Sequence, residues 1–228
     1  MPDPCSYASN MHFPWQKSQW EKLNSDIEKD QLPHAVSLVG PSYVGKYQFA
    51  ISFAQRLLCL SSLNNHACGQ CKSCKLIFAE NHPDLRRLEP DNKSKTLGVD
   101  SIRELGEFFA KTSQQGGWKV VIVNPAESMN LNAANALLKN LEEPRERTLI
   151  LLICHQPSRL LATIKSRCRL VRFPTPALLE VRLWLSKKLA PREDMDELIQ
   201  YAGGSPLLAI RLAETDLLES RRKFDRLL

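Results

Sequence analysis

The chain has 228 residues, 43% of them hydrophobic, with 31 Lys and Arg against 25 Asp and Glu for a net charge of +6. That length and apolar content accommodate one α/β domain with a sizeable core and a smaller companion. No apolar run is long enough to span a bilayer and no basic stretch with an apolar core opens the chain, so a soluble, cytoplasmic protein without membrane partners is predicted.

In chain order, the first predicted element is a buried strand over Val36–Gly40. It leads into Gly40-Pro41-Ser42-Tyr43-Val44-Gly45-Lys46-Tyr47, a phosphate-loop pattern in the strand-then-helix setting that such a loop needs. In a working loop the backbone N–H groups cradle phosphate, the Lys reaches the outer oxygens and a Ser or Thr hydroxyl ligates magnesium. Tyr47 stands where that hydroxyl belongs, and its phenol lies a whole ring away from the backbone. A chance match in a Gly-bearing loop is the rival reading. Gly40, Gly45 and Lys46 are therefore candidate residues of a degenerate loop, for which ATP binding is doubtful.

A helix follows over Gly45–Cys59, with Phe49, Phe53, Leu57 and Leu58 along one side. Of seven cysteines, Cys59, Cys68, Cys71 and Cys74 form a C-x8-C-x2-C-x2-C array, while Cys5, Cys154 and Cys168 stand apart. Short C-x2-C steps bring thiolates round one point, and a fourth sulfur closes the tetrahedron of a structural zinc site with no position left for a catalytic water. An iron–sulfur cluster is the competing metal reading, free thiols or disulfides the non-metal one, and His66 or His82 could replace a ligand. Both histidines are read as surface residues.

Next come a short strand over Asp84–Glu89, a helix that Asp100 can cap, and a break at Gly116-Gly117. Lys119–Val123 is a strand whose continuous apolar run suits a parallel sheet covered on both faces. Asn132 precedes a helix with Ala134, Leu137, Leu138 and Leu141 on one face, ended by Pro144. Leu149–Cys154 and Arg169–Phe173 complete the strands, and helices follow over Ala177–Leu189, Arg192–Ala202 and from Pro206 onward. Alternation of this kind predicts a mostly parallel sheet between helices, with a helical part beginning near residue 170. Scattered basic residues, Arg86-Arg87 and Lys187-Lys188 among them, are read as solvated faces.

The joint order of phosphate loop, cysteine array, Asn81-His82-Pro83-Asp84, Gly116-Gly117-Trp118-Lys119, Ala133–Lys139, Leu141-Glu142-Glu143-Pro144 and Ser166-Arg167-Cys168 resembles the δ′ subunits of bacterial DNA polymerase III clamp loaders, in the AAA+ family. The resemblance runs from about His34 to Leu212. It implies an AAA+ P-loop NTPase-type α/β domain over 1–170 with a zinc-binding insertion at 59–74, a helical lid over 171–206, and at 207–228 the start of a truncated collar. The partners it implies are the ATPase and δ subunits in a five-subunit ring, the sliding clamp and primed DNA. Related ATPases carry an acidic pair where this chain has Asn124-Pro125, followed by Ala126-Glu127, and Glu127 is read as a surface or capping residue. Their phosphate-sensing residue and lid Arg fall at Cys154-His155 and Gly204-Ser205-Pro206-Leu207, where neither group is present. Without these parts hydrolysis is not expected. One catalytic part is retained: the resemblance makes Arg167 an arginine finger offered in trans to a neighbour's nucleotide, against the bland reading of one more basic surface residue. Cys168 is read as a packing residue. An active P-loop ATPase and a stand-alone zinc-containing nucleic-acid-binding module are the alternative functions.

Overall fold

Five short strands, β1 (Ala35–Val39), β2 (Leu85–Leu88), β3 (Lys119–Val123), β4 (Thr148–Cys154) and β5 (Arg169–Arg172), lie parallel in the order β2-β3-β4-β1-β5. The computed structural model describes residues 12–90, 94–115 and 117–215. Strand alternation sorts the apolar runs into two cores. Val36, Leu38, Val120, Ile122, Leu149, Leu151 and Ile153 meet Phe49 and Phe53 of α2 (Lys46–Leu58) and Trp20 and Leu23 of α1 (Lys17–Glu28). Ala35, Val121, Val123, Ile150, Leu152 and Cys154 meet α4 (Val99–Ala110) and α5 (Leu131–Glu142) on the other face. Both faces are covered, which is why β3 and β4 are apolar at every position from Val120 to Val123 and from Leu149 to Cys154.

After β1 the chain leaves for the far edge at β2, returns through β3 and β4, and then passes to the other side as β5. The carboxyl ends of β1, β3 and β4 thus gather the loops beginning at Gly40, Asn124 and His155, the place where open parallel sheets carry their sites. A third cluster is helical. Val181 and Leu185 of α7 (Leu178–Leu185), Leu198 and Ile199 of α8 (Met195–Tyr201), and Ala209 and Ile210 of α9 (Pro206–Glu214) bury one another. The expected α/β sheet with a helical part is present. The helix from Pro206, expected to open a further unit, shares its core with α7 and α8, and residues 216–228 lie outside the described residues.

Several boundaries differ for local reasons. Asn130, not Asn132, caps α5, its side-chain oxygen accepting from Ala133 N at 2.8 Å. Gly98 occupies the cap position of α4, and Asp100 sits in the first turn, paired with Arg103 at 3.3 Å. Asp84 is buried before β2, where it accepts from Ser113 Oγ and from the N–H groups of Gln114 and Gln115, tying β2 to the segment that precedes β3. The expected break at Gly116-Gly117 is described only at Gly117. Two short helices escaped the sequence pattern, α3 (Lys72–Phe78) and α6 (Ala162–Lys165). Among the described residues no helix is long and apolar enough to cross a membrane.

Candidate functional site

The phosphate loop closes on itself. Lys46 is buried, and its Nζ donates to the carbonyls of Gly40 and Pro41 at 2.6 and 2.5 Å. Burial pulls its pKa down to about 8, with Glu127 and the Cys154 thiol acting in the opposite direction. The ammonium that would serve a phosphate is therefore occupied by loop oxygens. Gly45 takes a left-handed backbone at φ +89°, where L side chains are strained, and a Cβ there would stand 2.4 Å from the Phe13 ring. A Cβ on Gly40 would stand 1.9 Å from the Phe173 carbonyl oxygen. Both glycines are thus required by the chain's own packing.

What presses on the loop is aromatic. Trp15 Nε1 donates to Val44 O at 2.9 Å, and Gln16 Nε2 donates to the carbonyls of Val44 and Gly45 at 3.0 Å each. Phe13 stacks on Trp15 at 4.9 Å, and both rings meet Trp184 of α7 edge-on at 5.5 and 5.3 Å. From α9, Leu207 N donates to Tyr43 O, and Arg211 donates to the Tyr43 hydroxyl at 3.1 Å. The positions Gly204–Leu207 carry no arginine, yet an arginine one turn further on does reach the loop and spends its donor on a phenol. Tyr47 packs partly against the core; burial first, then Glu89, pushes its pKa up to about 12.

At the ends of β3 and β4 the chemistry is likewise inward. Glu127 is half-buried rather than on the surface, and its Oε1 accepts from the N–H groups of His155 and Gln156 at 2.9 and 3.1 Å, capping the end of β4. Burial, then Glu127, pushes the Cys154 thiol up to about 12, and burial followed by Lys46 lowers the pKa of His155. Lys46, Glu127, Cys154 and His155 form one cluster under the loop.

Arg167 follows α6 on an exposed turn. Its NH2 lies 2.8 Å from Glu142 Oε1, and its NH1 donates to Thr163 O at 3.0 Å. Neighbouring cations have separate partners, Lys165 on Pro157 O and Arg169 on Asp26 at 2.7 Å. Cys168 packs against the second core, with burial raising its pKa to about 12, as befits a packing residue.

The cysteine array converges. Cys59 ends α2, Cys71 caps α3 by accepting from Cys74 N, and the four sulfurs lie within 4.8 Å of one another, a set able to hold one metal ion. A tetrahedral zinc at about 2.3 Å from each sulfur sets neighbouring sulfurs about 3.8 Å apart, close to the 3.9 Å between Cys59 and Cys71. Cys68 N donates to Cys59 Sγ and Cys71 N to Cys68 Sγ, so backbone dipoles already face the sulfurs. The Ser61 hydroxyl, then the N–H groups of Gln70 and Cys71, lower the Cys68 pKa to about 6, while burial raises that of Cys74. A divalent cation would offset that burial cost. Neither histidine belongs to this cluster, and neither is a plain surface residue. His66 stacks on Trp20 at 5.2 Å; His82 is buried between Ser73 Oγ and Asp84 N. Ser73 donates to Leu58 O, so His82 carries its proton on Nε2 and accepts at Nδ1.

Residues 15–177 match the sequence family described as DNA polymerase III, delta subunit. The chain is 46% identical over 211 residues to DNA polymerase III subunit delta′ of Pseudomonas aeruginosa, covering 92% of this chain and 63% of that protein. The chain belongs to the DNA polymerase III δ′ family. Delta′ of Escherichia coli is 35% identical over 92% of this chain and 63% of its own length, and that of Bacillus subtilis 38% over 90% and 61%. The chain thus spans just under two thirds of the length of these relatives. Among solved structures, a DNA polymerase III gamma subunit-related protein of Thermotoga maritima is similar at TM-score 0.56 and 25% identity, over 85% of this chain and 58% of that one. The RuvB Holliday junction branch migration motor of the same organism aligns at TM-score 0.54 and 13% identity, over 87% and 59%, a likeness of fold alone. The δ′ resemblance and the AAA+ architecture expected of it therefore hold.

The sequence pattern missed Glu142 as the partner of Arg167, Tyr43 as the contact for α9, and the aromatic group over the loop. Phe13, Trp15 and Trp184 offered only unplaced aromatic residues as a signal.

Proposed function

We propose that this chain is the non-hydrolysing δ′ component of a DNA polymerase III clamp loader, acting in the cytoplasm to help load a sliding clamp onto primed DNA. In this reading it joins the ATPase and δ subunits in a five-subunit ring, with 1–170 as the base and 171–206 together with α9 as the lid. The observation that carries the reading is a division of labour between two cations. Lys46 is consumed by its own loop, while Arg167 stays on the surface with its planar group oriented. A guanidinium supplied from outside stabilises charge on transferring phosphate oxygens, whereas a loop without a magnesium hydroxyl or an acidic pair hydrolyses nothing. The four cysteines hold structural zinc that fixes the turn between α2 and α3; zinc supplies cross-linking there and no reaction step. Glu127 and Tyr47 make an active P-loop ATPase the poorer reading, since one caps β4 and the other lies beside Glu89.

The test is reconstitution of the ring with wild-type or Arg167→Ala protein, with ATPase and clamp-loading rates measured after assembly is verified. Losing one preorganised charge stabiliser costs about 2–4 kcal/mol at the affected site. Equal rates in an intact ring would return Arg167 to the class of surface cations. Turnover by the isolated chain that disappears with Lys46→Ala would replace this reading with an ATPase.

A further inference from the structure

The Arg167 guanidinium is gripped from two elements. Glu142, the last residue of α5, takes NH2 at 2.8 Å, while Thr163 O and Ser166 Oγ at the end of α6 take NH1 at 3.0 and 3.4 Å. The α5 terminus is also the negative end of the helix dipole, which favours a cation beside it. The side chains of Arg167 and Glu142 are 37% and 50% exposed, so the pair contributes little to folding. Its effect is geometric: it selects one pose for a long side chain that would otherwise sample many. Five N–H donors in one plane leave room for a phosphate oxygen beside the carboxylate. The adjacent Glu143 provides an internal contrast, because it is also exposed and carries the same charge but stands one residue past α5, lining a groove with Arg103 and Lys139.

We propose that Glu142 is the positioning residue for Arg167, holding its guanidinium in the pose from which it engages the terminal phosphate of a neighbouring subunit's nucleotide. This rests on reading Arg167 as a finger in trans. A cation already oriented before docking meets the developing charge without reorganising, and that gain belongs to turnover more than to nucleotide affinity.

The experiment is a double-mutant cycle in the reconstituted ring with clamp and primed DNA, reading ATPase turnover against ATP concentration. The variants are Glu142→Ala, Glu142→Gln, Glu143→Ala, Arg167→Ala and the Glu142→Ala/Arg167→Ala pair, each checked for assembly and for thermal unfolding. Glu142→Ala is expected to lower kcat about two- to fivefold, the weight of an exposed ion pair, with KM for ATP little changed. Glu142→Gln, which keeps an acceptor oxygen, falls between wild type and Glu142→Ala, and Glu143→Ala matches wild type. In the Arg167→Ala background, loss of Glu142 costs nothing further. Where Arg167→Ala lowers turnover but Glu142→Ala does not, or raises it, or costs the same in both backgrounds, the positioning role is refuted and the finger stands. Where Arg167→Ala itself changes nothing, the finger reading fails and takes the positioning role with it.

Discussion

Substituting Gly45 isolates what the phosphate loop is now for. Gly45→Ala forces an L side chain into φ +89° and drives its Cβ to 2.4 Å from Phe13 Cδ2 and Cε2 and 2.9 Å from Gln16 Nε2. The left-handed conformation costs about 1–2 kcal/mol, and overpacking against the ring adds about 1–3 kcal/mol, for a loss of about 2–5 kcal/mol without any nucleotide present. Phe13→Ala alone removes a ring that is 8% exposed, at about 3–5 kcal/mol if it behaves as a core position. In the Phe13→Ala background the overpacking against the ring vanishes and only the Gln16 Nε2 contact at 2.9 Å is left, the end of a side chain that can shift, so Gly45→Ala should then cost little beyond the about 1–2 kcal/mol of the left-handed backbone. Urea unfolding of the four proteins, followed by far-UV circular dichroism and tryptophan fluorescence, measures the cycle. A penalty for Gly45→Ala of the same size in both backgrounds would mean that Phe13 does not define the space above the loop.

Other expectations follow from single contacts. Gly40→Ala places a methyl 1.9 Å from the Phe173 carbonyl oxygen, a backbone atom that cannot swing aside, so it should lower the urea midpoint more than Gly45→Ala does. Zinc should copurify at about one ion per chain; withdrawing it with a strong chelator, or Cys74→Ser, should lower unfolding stability by at least about 2 kcal/mol, the scale of linkage at a hundredfold excess over Kd, and a Tm unmoved by chelator would count against a structural site. Burial holds the pKa values of His82, His155 and His12 below the ordinary 6.5. The unfolded chain then takes up protons first as pH drops, so stability is full above 6.5 and declines below it. The decline in urea midpoint between pH 7.5 and 5.5 should be shallower in His82→Gln, and an equal slope would remove His82 from the explanation.

Much of the fold is legible because its sheet is buried on both faces. Lys119–Val123 lies where its unbroken apolar run puts it, and the turn at Gly40–Lys46 follows β1 as the loop pattern requires. The cysteine cluster is legible from spacing alone, since two C-x2-C steps leave few ways to arrange the sulfurs. Caps were harder to locate: Asn130 and Asn132 are two residues apart and equally suited, and only the bond to Ala133 N separates them. Helix α3 is invisible as a pattern because its cap is a sulfur, and α1 places only Trp20, Leu23 and Asn24 fully inside a mostly polar stretch. The grip of Glu142 on Arg167 spans 25 positions and two helix ends, and the aromatic group over the loop joins Phe13 to Trp184. Neither has a local signature; both depend on how the helices dock.

Tyr43 also joins the phosphate loop to α9. Its carbonyl and its hydroxyl each take a hydrogen bond from α9, and beside it Trp184 wedges against Phe13 and Trp15. Here the joint between the loop and α9 is made of the polypeptide's own atoms.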